Sequence, residues 1–408
     1  MKRDATEYLY EWKDRKNRKP LVIRGARQTG KTWLVRDFGK KLYKNYVEIN
    51  FDKLENISRL FETPDVKEII KNLELELDVT IDEEETLLFL DEIQNAPAIF
   101  AKLRYFYEDL PDLHIIAAGS LLEFLLAEHT FSMPVGRIEY LFLGPLNFEE
   151  FLSGIGQVKL VNYIKEYSFE KPIPEIIHEK LLKFVKKYFV IGGMPAVVRQ
   201  FGDKDDYRGA LREQKNLLQT YIDDFNKYKK RVDTTRLQKV FRNFPLQVGQ
   251  KVKYVNIDRL DKAKDLAGSI NLLNLARVIY SVKHSNANGV PLGAEVNDSD
   301  FKALFIDIGL MQSLLNLRPS DVLNSENLIS INSGSLAEQF VGQHLLYNLE
   351  FYEKPELFYW NREKKNSSAE IDYLQQIDGR IIPVEVKAGK TGSLKSLHLF
   401  VSEKKVKI

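Results

Sequence analysis

Leu21-Val22-Ile23-Arg24-Gly25-Ala26-Arg27-Gln28-Thr29-Gly30-Lys31-Thr32-Trp33-Leu34-Val35-Arg36-Asp37-Phe38 decides how the first third of the chain is read. A short apolar run of strand type leads into a loop bounded by two glycines, and the loop leads into a helix-compatible segment. Gly25, Ala26, Arg27, Gln28, Thr29, Gly30, Lys31 and Thr32 have the full spacing of a phosphate cradle. Such a loop wraps backbone N–H groups around the β- and γ-phosphates, and the following helix adds the partial positive charge of its N-terminus. Lys31 is placed to reach the terminal phosphates, and the Thr32 hydroxyl to bind magnesium. ATP and Mg2+ are the ligands this loop implies.

A phosphate cradle needs one carboxylate to hold the metal and usually a second to activate water. Thr86-Leu87-Leu88-Phe89-Leu90 reads as a fully buried strand that delivers Asp91 and Glu92 at its C-terminal end, where open α/β sheets place their ligands. Asp91 fits the metal-binding role and Glu92 that of the general base. Tyr46–Phe51 and His114–Ser120 read as further strands of the same α/β domain.

Working outward, a chain of 408 residues is too long for one small core. Hydrophobic residues make up 44% and charged residues 29%, which is ordinary for a globular chain. Sixty Lys plus Arg stand against 58 Asp plus Glu, so no global field demands nucleic acid or anionic lipid, and any such site must be local. The absence of cysteine excludes disulfides, thiolate zinc sites and thiol nucleophiles, and fits a reducing compartment. Met1–Pro20 lacks the apolar core of a signal peptide, and no stretch approaches the roughly 18 apolar residues of a membrane span. The expectation is a cytoplasmic protein with no membrane partner.

Four segments are expected: an ATPase core over 1–146, a helical lid over 147–234, a winged-helix-like module over 235–317 and a C-terminal α/β domain over 318–408. Leu181, Leu182, Phe184, Val185, Tyr188 and Phe189 recur at helical spacing in the second. In the third, helical segments precede Val278–Val282 and the turn signal Asn286-Ala287-Asn288-Gly289, the order of a winged helix. Lys251, Lys253, Arg259, Lys262 and Lys264 supply charge for DNA, but Asp258, Asp261 and Asp265 interleave with them, so a solvated face or a protein-contact module is the competing reading. DNA, a protein partner and a second copy of the chain are all candidate partners.

At the C-terminus, Ala369–Gln376 and Arg380–Lys387 both alternate, with Asp378-Gly379 between them as a hairpin turn. If these two residues are the centre of a tight primed turn, Ile377 pairs with Arg380 and Asp372 faces Glu385. Like charges so placed repel unless something positive lies between them. Lys387 shares that face. The competing reading is a hairpin with surface charges.

These motifs resemble known families. The strand order and the run Leu90-Asp91-Glu92-Ile93-Gln94 resemble the AAA class of P-loop ATPases, in which the polar residue at the position of Ser120 senses the γ-phosphate; a serine capping the next helix is the equal alternative. By the same likeness Arg137, in Gly136-Arg137, is a candidate for an arginine that stabilises transferring phosphate, against a plain surface arginine. Gly192-Gly193-Met194-Pro195 resembles a small-residue lid motif near the nucleotide, or is a turn between helices. Asp372, then Glu385-Val386-Lys387, resembles the PD-(D/E)xK nucleases, and Glu338 resembles that superfamily's additional acidic residue. The resemblance implies that Glu338, Asp372 and Glu385 hold magnesium while Lys387 assists catalysis. The whole, with Phe305-Ile306-Asp307-Ile308-Gly309-Leu310, resembles prokaryotic AAA proteins carrying a C-terminal restriction-endonuclease-like domain. Relatives usually continue beyond a strand such as Lys405–Ile408, so an early end is expected and puts C-terminal activity in doubt. The expected function is magnesium-dependent ATP hydrolysis coupled to a nuclease-like module on or near nucleic acid. The alternative is a nucleotide-gated signalling or DNA-binding switch with an inactive nuclease fold.

Overall fold

A computed structural model describes residues 1–120, 122–128, 133–228, 232–323, 334–347, 349–362, 369–388 and 393–404. The strand expected at 405–408 lies outside them. The chain divides into two compact units, Met1–Gly144 with Glu350–Lys354, and Pro145–Leu349 with Pro355–Ile408.

The first unit is an α/β domain. Its strands are β1 (Leu21–Arg24), β2 (Asn45–Asn50), β3 (Thr86–Asp91), β4 (His114–Ala118) and β5 (Glu139–Phe142). Its helices are α1 (Ala5–Asp14), α2 (Lys31–Leu42), α3 (Val66–Leu77), α4 (Pro97–Asp109) and α5 (Leu122–Glu128). All strand pairs are parallel, in the order β2-β3-β4-β1-β5. The sheet is covered on both faces, which is why β3 and β4 are apolar and buried at every position rather than alternating. One face packs against α3 and α4 through Ile69, Leu73, Phe100 and Leu103. The other packs against α1 and α2 through Leu9, Trp12, Leu34 and Phe38. Asp65 caps α3 by accepting from the Lys67 and Glu68 N–H groups, and Pro97 opens α4. The result sets the C-terminal tips of β1, β4 and β3 side by side.

The second unit begins with helices α6 (Phe148–Gly154), α7 (Val158–Lys165), α8 (Glu175–Ile191), α9 (Pro195–Phe201), α10 (Tyr207–Asp224), α11 (Thr234–Asn243), α12 (Tyr254–Ile257) and α13 (Ala263–Leu275). It continues with β6 (Ile279–Ser285), β7 (Val296–Phe305), α14 (Ile308–Leu314), α15 (Pro319–Leu323), α16 (Ser335–Leu346), β8 (Phe358–Asn361), β9 (Glu370–Ile377), β10 (Arg380–Val384) and α17 (Lys395–Glu403). The helical run expected from Phe148 is there, and Asn147 and Glu150 open it with a reciprocal capping box.

The hairpin expected as a wing, β6–β7, is not free-standing. β8 pairs in parallel with β6, so one five-stranded sheet, β10-β9-β8-β6-β7, runs across the boundary expected at 317. Pairing with β8 satisfies a strand edge that an isolated wing would leave open.

The β9–β10 hairpin has the register read from its turn: Arg380 opposes Ile377, and the ladder continues to Val384 opposite Tyr373. Asp378 (φ 49°) and Gly379 (φ 71°) are both left-handed, as a type I′ turn requires. Pro383 is tolerated because β10 stands at the end of the sheet order.

Gly192-Gly193-Met194-Pro195 forms the turn between α8 and α9. The Gly193 N–H donates to Asp307 at 2.6 Å, and its carbonyl accepts from the Leu146 N–H at 2.7 Å. A Cβ on Gly193 would lie 2.0 Å from the Leu146 carbonyl oxygen, so only glycine permits this approach. Asp307 also caps α14 through the Leu310 N–H. Two motifs separated by more than a hundred residues thus form one buried node.

Candidate functional site

The loop after β1 is pressed against the chain that follows β5. A Cβ on Gly25 would sit 2.2 Å from the Leu143 carbonyl oxygen, so this glycine is dictated by close approach. Gln28 (φ 64°) and Gly30 (φ 92°) are left-handed, the kind of backbone that turns N–H groups into a concave nest. Buried Arg3 donates to the carbonyls of Thr29 and Gly144, both at 2.8 Å, and so fixes the loop from behind. No spacing in the sequence signals Arg3.

Lys31, at the first position of α2, is only 7% exposed. Its ammonium donates to the carbonyls of Gly25 at 2.9 Å and Ala26 at 2.7 Å. These are neutral acceptors that a phosphate oxygen can replace. Thr32 donates to Asp91 at 3.2 Å, and Asn50, at the tip of β2, donates to the same carboxylate at 3.0 Å. Burial, then the neighbouring Glu92, raises the Asp91 carboxyl to about 6, with Asn50 and Thr32 pulling the other way. A hydroxyl and a buried carboxylate held together beside a phosphate-type loop fit a magnesium ion.

Glu92 adopts a left-handed backbone (φ 53°) directly after β3. Its carboxylate accepts from Gln94 at 2.6 Å and from Ser120 at 3.3 Å. The Arg27 guanidinium in turn donates to the Ser120 hydroxyl at 3.2 Å. β4 lies between β1 and β3, so Ser120 at its tip links the phosphate loop to the acidic pair. Sequence reading gave no role to Asn50 or Gln94, although Asn50 lies inside the expected strand Tyr46–Phe51 and Gln94 closes the run that begins at Leu90.

Arg137 lies elsewhere. It donates to Glu108 at 2.9 Å, stacks over Tyr107, and keeps 41% of its side chain exposed. None of these contacts is with the phosphate loop.

A second constellation is built in the second unit. Glu370 and Asp372 are two apart on β9 and share a face. Gly342 lets α16 approach β7 and β9 closely, since a Cβ there would meet the Tyr373 hydroxyl at 2.4 Å and the Leu304 side chain at 2.8 Å. Glu338, one helical turn earlier, is thereby brought over the sheet. Between these carboxylates stands Lys302 of β7, whose side chain is 2% exposed. Its ammonium reaches Glu338 at 2.9 Å, Glu370 at 2.8 Å and Asp372 at 3.2 Å. Burial opposes the Lys302 charge, but Glu338, Glu370 and Asp372 together outweigh it and raise its pKa. Burial lifts Glu338 to about 7 despite the Lys302 charge.

Of the residues expected here, Glu338 and Asp372 are brought together, but through Lys302. Glu385 and Lys387 pair with each other. Asp372 accepts from the Val386 N–H at 2.8 Å rather than joining Glu385. Among the described residues no three Asp, Glu or His side chains are grouped as metal ligands. Sequence reading missed Lys302 and Glu370. A lysine inside the apolar run Phe301-Lys302-Ala303-Leu304-Phe305-Ile306 was the available signal.

Residues 17–152 match the family model of the AAA domain, and the N-terminal unit is an AAA-type P-loop domain. Residues 182–321 and 333–407 match two families described as domains of unknown function. Solved structures with similarity include a Walker-type ATPase of Pyrococcus abyssi, at 16% identity and TM-score 0.48, covering 76% of this chain and 95% of that one. The ORC2 protein of Aeropyrum pernix, in ADPNP–ADP complexes, matches at 12% identity and TM-score 0.37, over 79% of this chain and 93% of that one. PCH-2 of C. elegans matches at 13% identity and TM-score 0.28, over 57% and 63%. No curated protein matches the chain. Among the described residues no helix is long and apolar enough to cross a membrane.

Proposed function

We propose that the first unit binds and hydrolyses ATP with magnesium, and that its nucleotide state is read out by the second unit. The observation that carries this is the convergence of Lys31, Thr32, Asp91, Glu92 and Ser120 at the adjacent tips of β1, β3 and β4. On nucleotide binding, the Lys31 ammonium exchanges the Gly25 and Ala26 carbonyls for phosphate oxygens. Thr32 and Asp91 are the residues that would hold magnesium, which when bound neutralises charge on the phosphates. Glu92 orients the attacking water and takes its proton, while Gln94 and Ser120 hold its carboxylate in place. Arg27, through Ser120, ties the base to the loop that senses the phosphates.

The test is steady-state hydrolysis by the full chain and by Glu92→Gln, with ATP affinity measured in parallel. Turnover lost with affinity retained supports the assignment. Turnover unchanged by Glu92→Gln removes the proposed base.

DNA binding by the second unit is a further reading, favoured by how its charges are paired. Asp258, Asp261 and Asp265 are taken by Arg236 and Lys239 of α11. Lys251 pairs with Asp300 at 2.6 Å. Lys253, Arg259, Lys262 and Lys264 are left exposed, with no acidic partner among the described residues. The interleaved aspartates therefore do not neutralise them. Double-stranded DNA affinity that falls with salt would support this reading, provided that Arg259→Ala or Lys262→Ala makes the slope shallower by roughly 0.9 for each phosphate no longer neutralised. A slope that neither change alters would remove it.

A further inference from the structure

The likeness to metal-dependent nucleases implies a divalent cation between Glu338 and Asp372. The residues present do not fit one. An ammonium has three N–H donors, and the three nearest carboxylates, Glu338, Glu370 and Asp372, lie at 2.8 to 3.2 Å from Lys302 Nζ. Its donors are spent on this one cluster. The remaining Asp372 oxygen already accepts from the Val386 N–H. Magnesium demands near-octahedral oxygen ligation at short distance, and here the shared face of the carboxylates is filled by a side chain only 2% exposed. Glu385, the other expected ligand, gives one oxygen to Lys387 and keeps the other, Oε2, buried without a hydrogen-bond partner, but no group of metal-ligand side chains gathers around it among the described residues.

We infer that Lys302 is the resident cation of this cluster: the site is a lysine-filled form of a nuclease-like centre, which takes no divalent metal and joins β7, β9 and α16 instead of cleaving phosphodiesters. Three elements each contribute a group, β7 the ammonium, β9 two carboxylates and α16 one. A permanent charge supplied by the chain does what a metal would do electrostatically, without the open coordination positions that metal catalysis needs. This inference stands apart from ATP hydrolysis in the first unit.

The test is Mn2+ binding, followed by electron paramagnetic resonance, to the nucleotide-free full chain carrying Asp91→Asn, so that the phosphate-loop carboxylate does not contribute. The expected result is that Asp372→Asn changes nothing in this parent. Lys302→Met should create a site at least tenfold tighter than any in the parent, and Asp372→Asn added to Lys302→Met should abolish it. A parent site weakened tenfold by Asp372→Asn would overturn the inference, as would folded Lys302→Met that gains no site.

If Lys302→Met does not fold, melting of Glu370→Gln, which removes another direct partner of the ammonium, in EDTA decides. A resident lysine predicts a lower melting temperature, because a partner of the ammonium has been lost. Repelling carboxylates awaiting a metal predict a rise, because one negative charge has been removed. A rise or no change overturns the inference.

Discussion

Two lysines of this chain are buried among oxygen atoms, and they differ in what those oxygens are. Lys31 lies against two neutral backbone carbonyls of its own loop, whereas Lys302 lies among three carboxylates. A carbonyl bond to an ammonium is weak enough to be exchanged for a phosphate, so the first lysine is poised to work. Three carboxylates hold the second far more tightly, so it serves as structure. A buried lysine in a site is therefore not by itself a sign of catalysis; the charge of its acceptors decides.

The sharpest way to break this comparison is to remove each lysine in turn. Lys31→Ala should lower ATP turnover by roughly 10²–10³-fold, as expected for the loss of one preorganised donor to phosphate oxygens, with little change in melting temperature. Lys302→Met should do the opposite. Stripping a buried cation from its partners costs about 3–5 kcal/mol, read as a lower urea midpoint for the second unit, while turnover by the folded fraction is kept. If either lysine shows the other's signature, the contrast fails.

Asp307 sharpens the same point with a carboxyl that has no cationic partner among the described residues. Burial, resisted by the backbone N–H groups of Gly193, Leu310 and Gly309, raises it from 3.8 to about 6. The folded state therefore holds a proton that the unfolded chain releases at lower pH. Its contribution is complete below pH 3.8 and is lost as pH rises through about 6. The size is on the order of 3 kcal/mol. Thermal melts of the second unit should fall across that window, and Asp307→Asn should flatten the dependence. A slope that survives the substitution would assign it to another group.

The smallest effect is expected at Arg137. Its exposed pair with Glu108 is worth about 0–1 kcal/mol, so Arg137→Ala should change turnover less than roughly threefold. A drop nearer the roughly 10³-fold of a transition-state arginine would show that it reaches phosphate in another arrangement.

What the sequence made legible was local. The phosphate loop, the buried acidic strand and the Asp378-Gly379 turn with its register are all set by spacing over a few residues, and each is found where that spacing put it. What stayed hidden depends on residues far apart in the chain. Arg3 supports the loop from 26 positions before Thr29. The β6–β7 hairpin looked like a wing because its parallel partner, β8, begins more than fifty residues after β7 ends. The C-terminal cluster was only half readable. Alternation puts Asp372 on one face, but only the tertiary fold delivers Lys302 to it, and β10 ends at Val384, one residue before Glu385 could continue the ladder.

The measurement that tests the central claim most directly is equilibrium binding and turnover of ATP by the full chain and by Lys31→Ala, with and without magnesium. The account predicts nucleotide binding that depends on Lys31 and turnover that requires both the lysine and the metal. Binding or turnover indifferent to Lys31 would contradict it.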